Sequence, residues 1–139
     1  AGNVYITDSI NYRVRKVDAG AGIITTIAGG GSDRGDGGPA IRANLGFPKA
    51  VAVDGAGNVF IADWGFRFGV LRVDASTGIM TKVAGNGSPD FSGDGAPAVS
   101  AGILPSRIAV DGKGNLYIAD RSQRIRVVAA DTGVIRTLA

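Results

Sequence analysis

The sequence predicts an all-β protein: three consecutive four-stranded antiparallel blades of a β-propeller, the first blade lacking its initial strand. Three observations carry that prediction. Gly2-Asn3-Val4-Tyr5-Ile6-Thr7-Asp8 returns as Gly57-Asn58-Val59-Phe60-Ile61-Ala62-Asp63 and again as Gly114-Asn115-Leu116-Tyr117-Ile118-Ala119-Asp120, at spacings of 55 and 57 residues. A period in this range, carried by short β-type runs, marks one supersecondary unit stacked against copies of itself. The runs are rich in Val and Ile, and clusters of Gly, Asn and Asp separate them, so each reads as a strand bounded by turns. Four such strands per unit make a blade, and their apolar character on both faces suits a sheet sandwiched between neighbours.

The middle unit is the complete template. Pro48-Lys49-Ala50-Val51-Ala52-Val53-Asp54 is its first strand. Asp54-Gly55-Ala56-Gly57-Asn58 then supplies the positive-φ positions of a tight hairpin. Residues 59–62 form the second strand, ending at Asp63, and residues 70–73 the third, ending at Asp74. The turn Asp74-Ala75-Ser76-Thr77-Gly78 leads into a fourth strand over 79–83. The third unit repeats all four over 107–110, 116–119, 125–128 and 134–138. The first unit holds three, over 4–7, 14–17 and 23–27, and its opening strand is expected ahead of residue 1. The whole chain, 1–139, therefore divides into repeat 1 (1–28), a linker (29–47), repeat 2 (48–84), a linker (85–104) and repeat 3 (105–139).

Both linkers carry Gly-Asp-Gly, at 35–37 and 93–95, followed by Pro39-Ala40 or Pro97-Ala98. Proline suits the first position of a helical turn, so one short turn is expected in each linker. Strand parity puts the linkers on the same face as the segments after Asp8, Asp63 and Asp120. The short Gly-Asn and Thr-Gly turns fall on the other face. Elaboration concentrates on the linker face, which is where binding is expected.

Composition narrows the chemistry. The chain has no Cys, no His and no Glu, and all 12 acids are Asp. Disulfides and thiolate zinc sites are excluded, and so are histidine ligands and histidine proton shuttles. The expectation is a non-enzyme with no cofactor. Eleven Arg and four Lys give a net charge of +3, but no basic run exceeds two residues, so the surface reads as solvated and mildly basic. No apolar run approaches the roughly 18 residues of a membrane helix, so membrane insertion is not expected.

Several residues are weighed as sites. Asp8, Asp63 and Asp120 recur at the end of the second strand, which favours structural bonds to loop amides or a nearby Arg over a ligand-facing ring. Arg13 with Arg15, and Arg124 with Arg126, each project to one face of a third strand. They are candidate contacts for an anionic ligand, against pairing with the second-strand aspartates. Unit two has Gly69 and Leu71 at those positions. Asp36 and Asp94 are weak metal candidates, against a role in capping their own turns; the EF-hand spacing is absent. The best signal for a partner is Asp63-Trp64-Gly65-Phe66-Arg67-Phe68-Gly69, longer than its counterparts and holding the only Trp. Trp64, Phe66, Arg67 and Phe68 have the composition of an interaction hot spot or a stacking platform, against packing on Phe47 or Phe91.

These features resemble the NHL repeat, a family of propeller blades best known in six-bladed rings. The matching residues are Pro48 and Pro105 before Val-Ala-Val-Asp or Ile-Ala-Val-Asp, then Gly-Asn, then aromatic-Ile-Ala-Asp. Residues 13–18 and 84–98 are similar to a subgroup common in bacterial proteins. The resemblance covers essentially the whole chain and implies a fold more than a function, because the family scaffolds sensors, protein- and RNA-recognition modules and a few lyases. The histidine-bound metal of the related amidating lyases has no matching residues here. The Glu-containing site of sugar-lactonase-like propellers lacks its Glu.

The leading expectation is a non-catalytic binding or scaffold module for a protein or glycan. RNA binding on a basic face, and an Asp-based metal-dependent lactonase or lyase, are the alternatives. Three blades fall short of the four to eight of a ring, so further blades are expected, from a longer chain or from a second copy. The resemblance favours an extracytoplasmic location; the residues themselves leave it open.

Overall fold

The computed structural model describes residues 2–34, 36–65 and 68–139. Strands β1 (Val4–Asp8), β2 (Arg13–Val17) and β3 (Ile24–Gly29) form the first blade. Strands β4 (Pro48–Val53), β5 (Val59–Asp63), β6 (Gly69–Val73) and β7 (Met80–Ala84) form the second. Strands β8 (Pro105–Val110), β9 (Leu116–Asp120), β10 (Arg124–Val128) and β11 (Ile135–Thr137) form the third. Within each sheet the strands pair antiparallel in sequence order, as the up-and-down reading requires. Strand ends differ from expectation by one or two residues. The largest differences are at β3, which runs on to Gly29, and at β8, which starts at Pro105 because Pro105 pairs with Asp120 across a bulge at Ser106.

The blades stack through two apolar layers. Alternation along β5 and β6 sends Val59, Ile61, Leu71 and Val73 toward the first blade. It sends Phe60 and Val70 toward the third. Every residue of β5 is buried, the mark of a strand covered on both faces. Full burial of each such Val, Leu or Ile contributes roughly 1.5–3 kcal/mol. The two end blades leave apolar faces uncovered. On the first, Val4, Ile6 and Ile24 are exposed; on the third, Ile125 and Leu138 are. Closing a ring requires further blades.

The linkers depart from the expected placement. Their ends lie on the face of Asp8 and Asp63, but their middles run down the outer edge of the next blade. Pro39 pairs with Ile79 and Pro97 with Val134, in antiparallel bridges. Gly37 N–H donates to Met80 O, Met80 N–H to Gly38 O and Ala40 N–H to Gly78 O. Gly95, Ala98 and Ile135 repeat this pattern in the third blade. An outermost strand has unpaired backbone groups on one side, and the linker satisfies them. Each proline precedes its helical turn instead of opening it. The turns are 3₁₀, over Ala40–Arg42 and Ala98–Ser100, and Pro39 and Pro97 keep extended backbone. From there Ala40, Ala43 and Leu45, or Ala98, Ala101 and Ile103, enter the space between blades.

Side-chain caps hold the turns on the opposite face. Asp54 Oδ1 accepts from Ala56 and Asn58 N–H, and Asp111 Oδ1 accepts from Lys113 and Asn115 N–H. Gly57 and Gly114 take the positive φ this hairpin needs. The following Asn reaches the next turn: Asn3, Asn58 and Asn115 accept from Ala19, Ala75 and Ala130 N–H. At the end of the third strand, Asp18 and Asp74 cap that turn in turn. Hydrogen bonds from Ser76 and Thr77 hold Asp74 well below the usual carboxylate range. The third blade has Ala129 at this position and no such cap, although its Gly133-to-Ala129 backbone bond is intact. Substituting Ala129→Asp should therefore raise the stability of the chain by about 0.5–1 kcal/mol in urea unfolding; no gain would mean the turn is already held by other bonds.

Candidate binding face

On the linker face, the residue after the second-strand Asp reaches across to the next blade in blades one and two. Ser9 Oγ donates to Pro48 O, and Trp64 Nε1 donates to Pro105 O at 2.5 Å. Trp64 is thus half-buried and tied between blades two and three. Its backbone N–H donates to Phe47 O, and Asp63 accepts from Gly46 and Phe47 N–H at 3.1 and 2.7 Å. These bonds clamp the end of the first linker, not the following loop, so the expected role for Asp63 is corrected in its direction. Gly46 and Gly65 sit back to back: a Cβ on Gly65 would lie 2.0 Å from Gly46 Cα.

Two cations lie on the Trp64 ring. The bulge at the start of β4 leaves Lys49 outside the β4–β5 ladder. Its ammonium sits 4.4 Å from the Trp64 centroid and 5.1 Å from that of Phe47. Arg121, which occupies the position of Ser9 and Trp64 in the third blade, lies 5.3 Å from the same Trp64 ring. Beyond it, Arg124 stacks 3.9 Å from the centroid of Phe91. Two cation–ring groups therefore lie on this face: Phe47, Lys49, Trp64 and Arg121 around the β4 bulge, and Arg124 with Phe91 at the second linker. Phe66 and Arg67 lie outside the described residues. Phe68 takes a positive φ of 29°, matching Tyr12 and Gln123 in the other blades, so its position reflects how the chain turns into the third strand.

Of the paired arginines in blade three, Arg126 is held in a structural role. Arg126 is fully buried and donates to Asp94 Oδ1 at 2.7 Å, Ser92 O at 2.8 Å and Gly102 O at 3.0 Å. Its Nη1 is also 4.0 Å from Asp120 Oδ2. It locks the second linker onto the third blade. In blade one, Arg15 lies 3.9 Å from Asp8, and Arg13 donates to Asn11 O. Leu71 replaces this arginine in blade two and joins the apolar core. Asp94, a weak metal candidate from sequence, is instead the partner of Arg126, and Asp36 is also partnered. Among the described residues no three of His, Cys, Asp or Glu gather into a metal-binding group. Asp120 accepts from Ser122 N–H, the local loop bond expected for this position.

Sequence singles out Trp64, which is unique, but not Lys49, Arg121 or the stack on Phe91. The signal for Arg121 was present: it follows Asp120 as Trp64 follows Asp63.

A scan of protein-family models finds no match to the chain, and a search of curated proteins finds no similar sequence. Solved structures do match. A structural genomics protein of unknown function from Bacteroides thetaiotaomicron VPI-5482 superposes with a TM-score of 0.75 at 25% identity, over 90% of this chain and 32% of that one. A chain of a nidogen/laminin complex superposes with a TM-score of 0.67 at 23% identity, over 99% of this chain and 43% of that one. The chain therefore spans less than half the length of either structure. With the blade topology, these likenesses establish the propeller fold.

Two outcomes test the geometry. Arg126→Met strands Asp94 and two linker carbonyls without their donor, takes the cation away from Asp120, and should cost about 3 kcal/mol in urea unfolding; a loss below about 1 kcal/mol would exclude the lock. Burial works to raise the Asp94 carboxyl, but Thr137 and the Arg126 guanidinium outweigh it, and the group titrates below its ordinary 3.8. Its ionised form therefore stabilises the fold above that value, and this contribution disappears as pH falls through the lower, folded-state value. Asp94→Asn should accordingly weaken the dependence of stability on acid below pH 4, and an unchanged acid limb would assign that dependence elsewhere.

Proposed function

We propose that the chain is part of an NHL-type propeller that acts by binding, not by catalysis, and that its linker face receives an acidic segment of a partner protein. The observation that supports this most directly is the pair of cation–ring groups on that face, Lys49 and Arg121 on Trp64 with Lys49 also near Phe47, and Arg124 on Phe91. Cations held on aromatic faces offer oriented positive charge beside apolar surface, the mixture enriched at protein interfaces. Because Lys49 and Arg121 already lie on the Trp64 ring, it is less suited to stacking a base or a sugar. The propeller in the nidogen/laminin complex is consistent with a protein partner for this fold. The remaining blades come from a longer chain or from a second copy, and the bacterial-type repeat features favour an extracytoplasmic site of action.

Selection of a displayed random-peptide library on the chain tests the reading. Selected peptides should be acidic, and the Lys49→Ala/Arg121→Ala double variant should bind them at least about tenfold more weakly. Neutral peptides insensitive to both substitutions would refute it. Tight binding of fluorescent oligouridine that falls steeply with salt would instead make this face an RNA surface.

A further inference from the structure

The opposite face holds a cleft that the linker-face reading does not use. It lies between the second and third blades, measures about 430 Å³ and is lined by Phe60, Val83, Leu116 and Val128, with Asp54 and Arg72 also in its wall. That volume is in the range of small-ligand sites. A corresponding cleft lies between the first and second blades, so the wedge itself is a product of the repeat. Among the differences between the two linings, two bear on the polarity of the 430 Å³ cleft. The first wedge has Tyr5 where this one has Phe60, and Asp74 where this one has Ala129.

Both departures remove polar groups from the wall. In the third blade, the Tyr117 hydroxyl donates to Asp111 Oδ2 at 3.3 Å. Phe60 has no such hydroxyl, and among the described residues Asp54 Oδ2 accepts only from Asn58 Nδ2. At position 129, loss of the aspartate forfeits the turn cap that the other two blades keep. Giving up a stabilising cap at the wall of one cleft requires a reason, and the charges beside it supply one. Arg72 is bonded to Asp74 at 3.2 Å, not to Asp54, so an acid and a guanidinium with further donors flank one apolar floor without neutralising each other.

We propose that this cleft binds a small zwitterion with an apolar body, the chemistry of a free α-amino acid with a branched or aromatic side chain. The ammonium group meets Asp54, the carboxylate meets Arg72, and the side chain covers Phe60, Val83, Leu116 and Val128. An aspartate at position 129 would repel the carboxylate, which accounts for the alanine.

Titrating the full chain with L-leucine and L-phenylalanine, followed by amide NMR, tests the assignment. Saturable shifts are expected at Asp54, Arg72 and Ala130. Phenethylamine and 3-phenylpropionate, each carrying one of the two charges, should bind at least tenfold more weakly. Ala129→Asp should reduce amino-acid affinity at least tenfold while leaving the fold at least as stable, so loss of binding cannot be attributed to unfolding. Arg72→Met should remove discrimination for the carboxylate. The proposal is overturned by an absence of saturable shifts at millimolar amino acid, by equal binding of the singly charged analogues or of N-acetyl-phenylalanine amide, or by indifference to Ala129→Asp. Lys49→Ala/Arg121→Ala should leave this binding unchanged, so each face stands or fails separately.

Discussion

Flat sheets arranged around an axis diverge as they move outward, and that divergence is the constraint the rest of the molecule answers. Near the axis, strands β4 and β8 lie against each other directly. Farther out, a gap opens that strand side chains alone do not span. The chain fills it with its own linker, which inserts Ala40, Ala43 and Leu45 into one wedge and Ala98, Ala101 and Ile103 into the next. The same segment satisfies the outer strand of the following blade. One stretch of sequence thus removes two costs, an unfilled cavity and an unpaired edge.

Polar bonds then fix what packing leaves adjustable. Arg126 gathers two linker carbonyls and two carboxylates in a buried position, where a missing partner is far more expensive than at the surface. Asp63 does comparable work with two linker amides, helped by the glycine-to-glycine contact between residues 46 and 65. The same requirement explains why Trp64 is not simply an exposed anchor: its indole nitrogen bridges to the next blade, and only part of the ring meets solvent.

Much of this was legible because repetition separates structural positions from unusual ones. The strands, the Gly-Asn hairpins and the aspartate caps follow from residues that recur in register. Sequence offers Asp120, at the end of the adjoining strand, as a partner for Arg126, but the hydrogen-bonded carboxylate is Asp94 of the linker. The linker path was not legible, because Pro39 and Pro97 announce a turn without saying which strand edge the preceding residues will join. Nor did sequence reveal the cation stack on Trp64. Lys49 reads as an ordinary strand residue, and only the bulge removes it from the ladder. The cleft near Ala129 depends on departures from the repeat at Phe60 and Ala129, which gain meaning only when they face each other across a wedge.

Arg15 occupies in the first blade the place that Arg126 occupies in the third, yet among the described residues its Nε is buried without an acceptor. A greasy surface alone would accept many neighbours in many orientations. The unpaired Nε adds a directional demand: a blade that covers Val4, Ile6 and Ile24 leaves this donor unsatisfied unless it brings an oxygen to it. Ring growth on that side is thereby given a polarity and a seating position, and a blade arriving back to front would bury a naked donor.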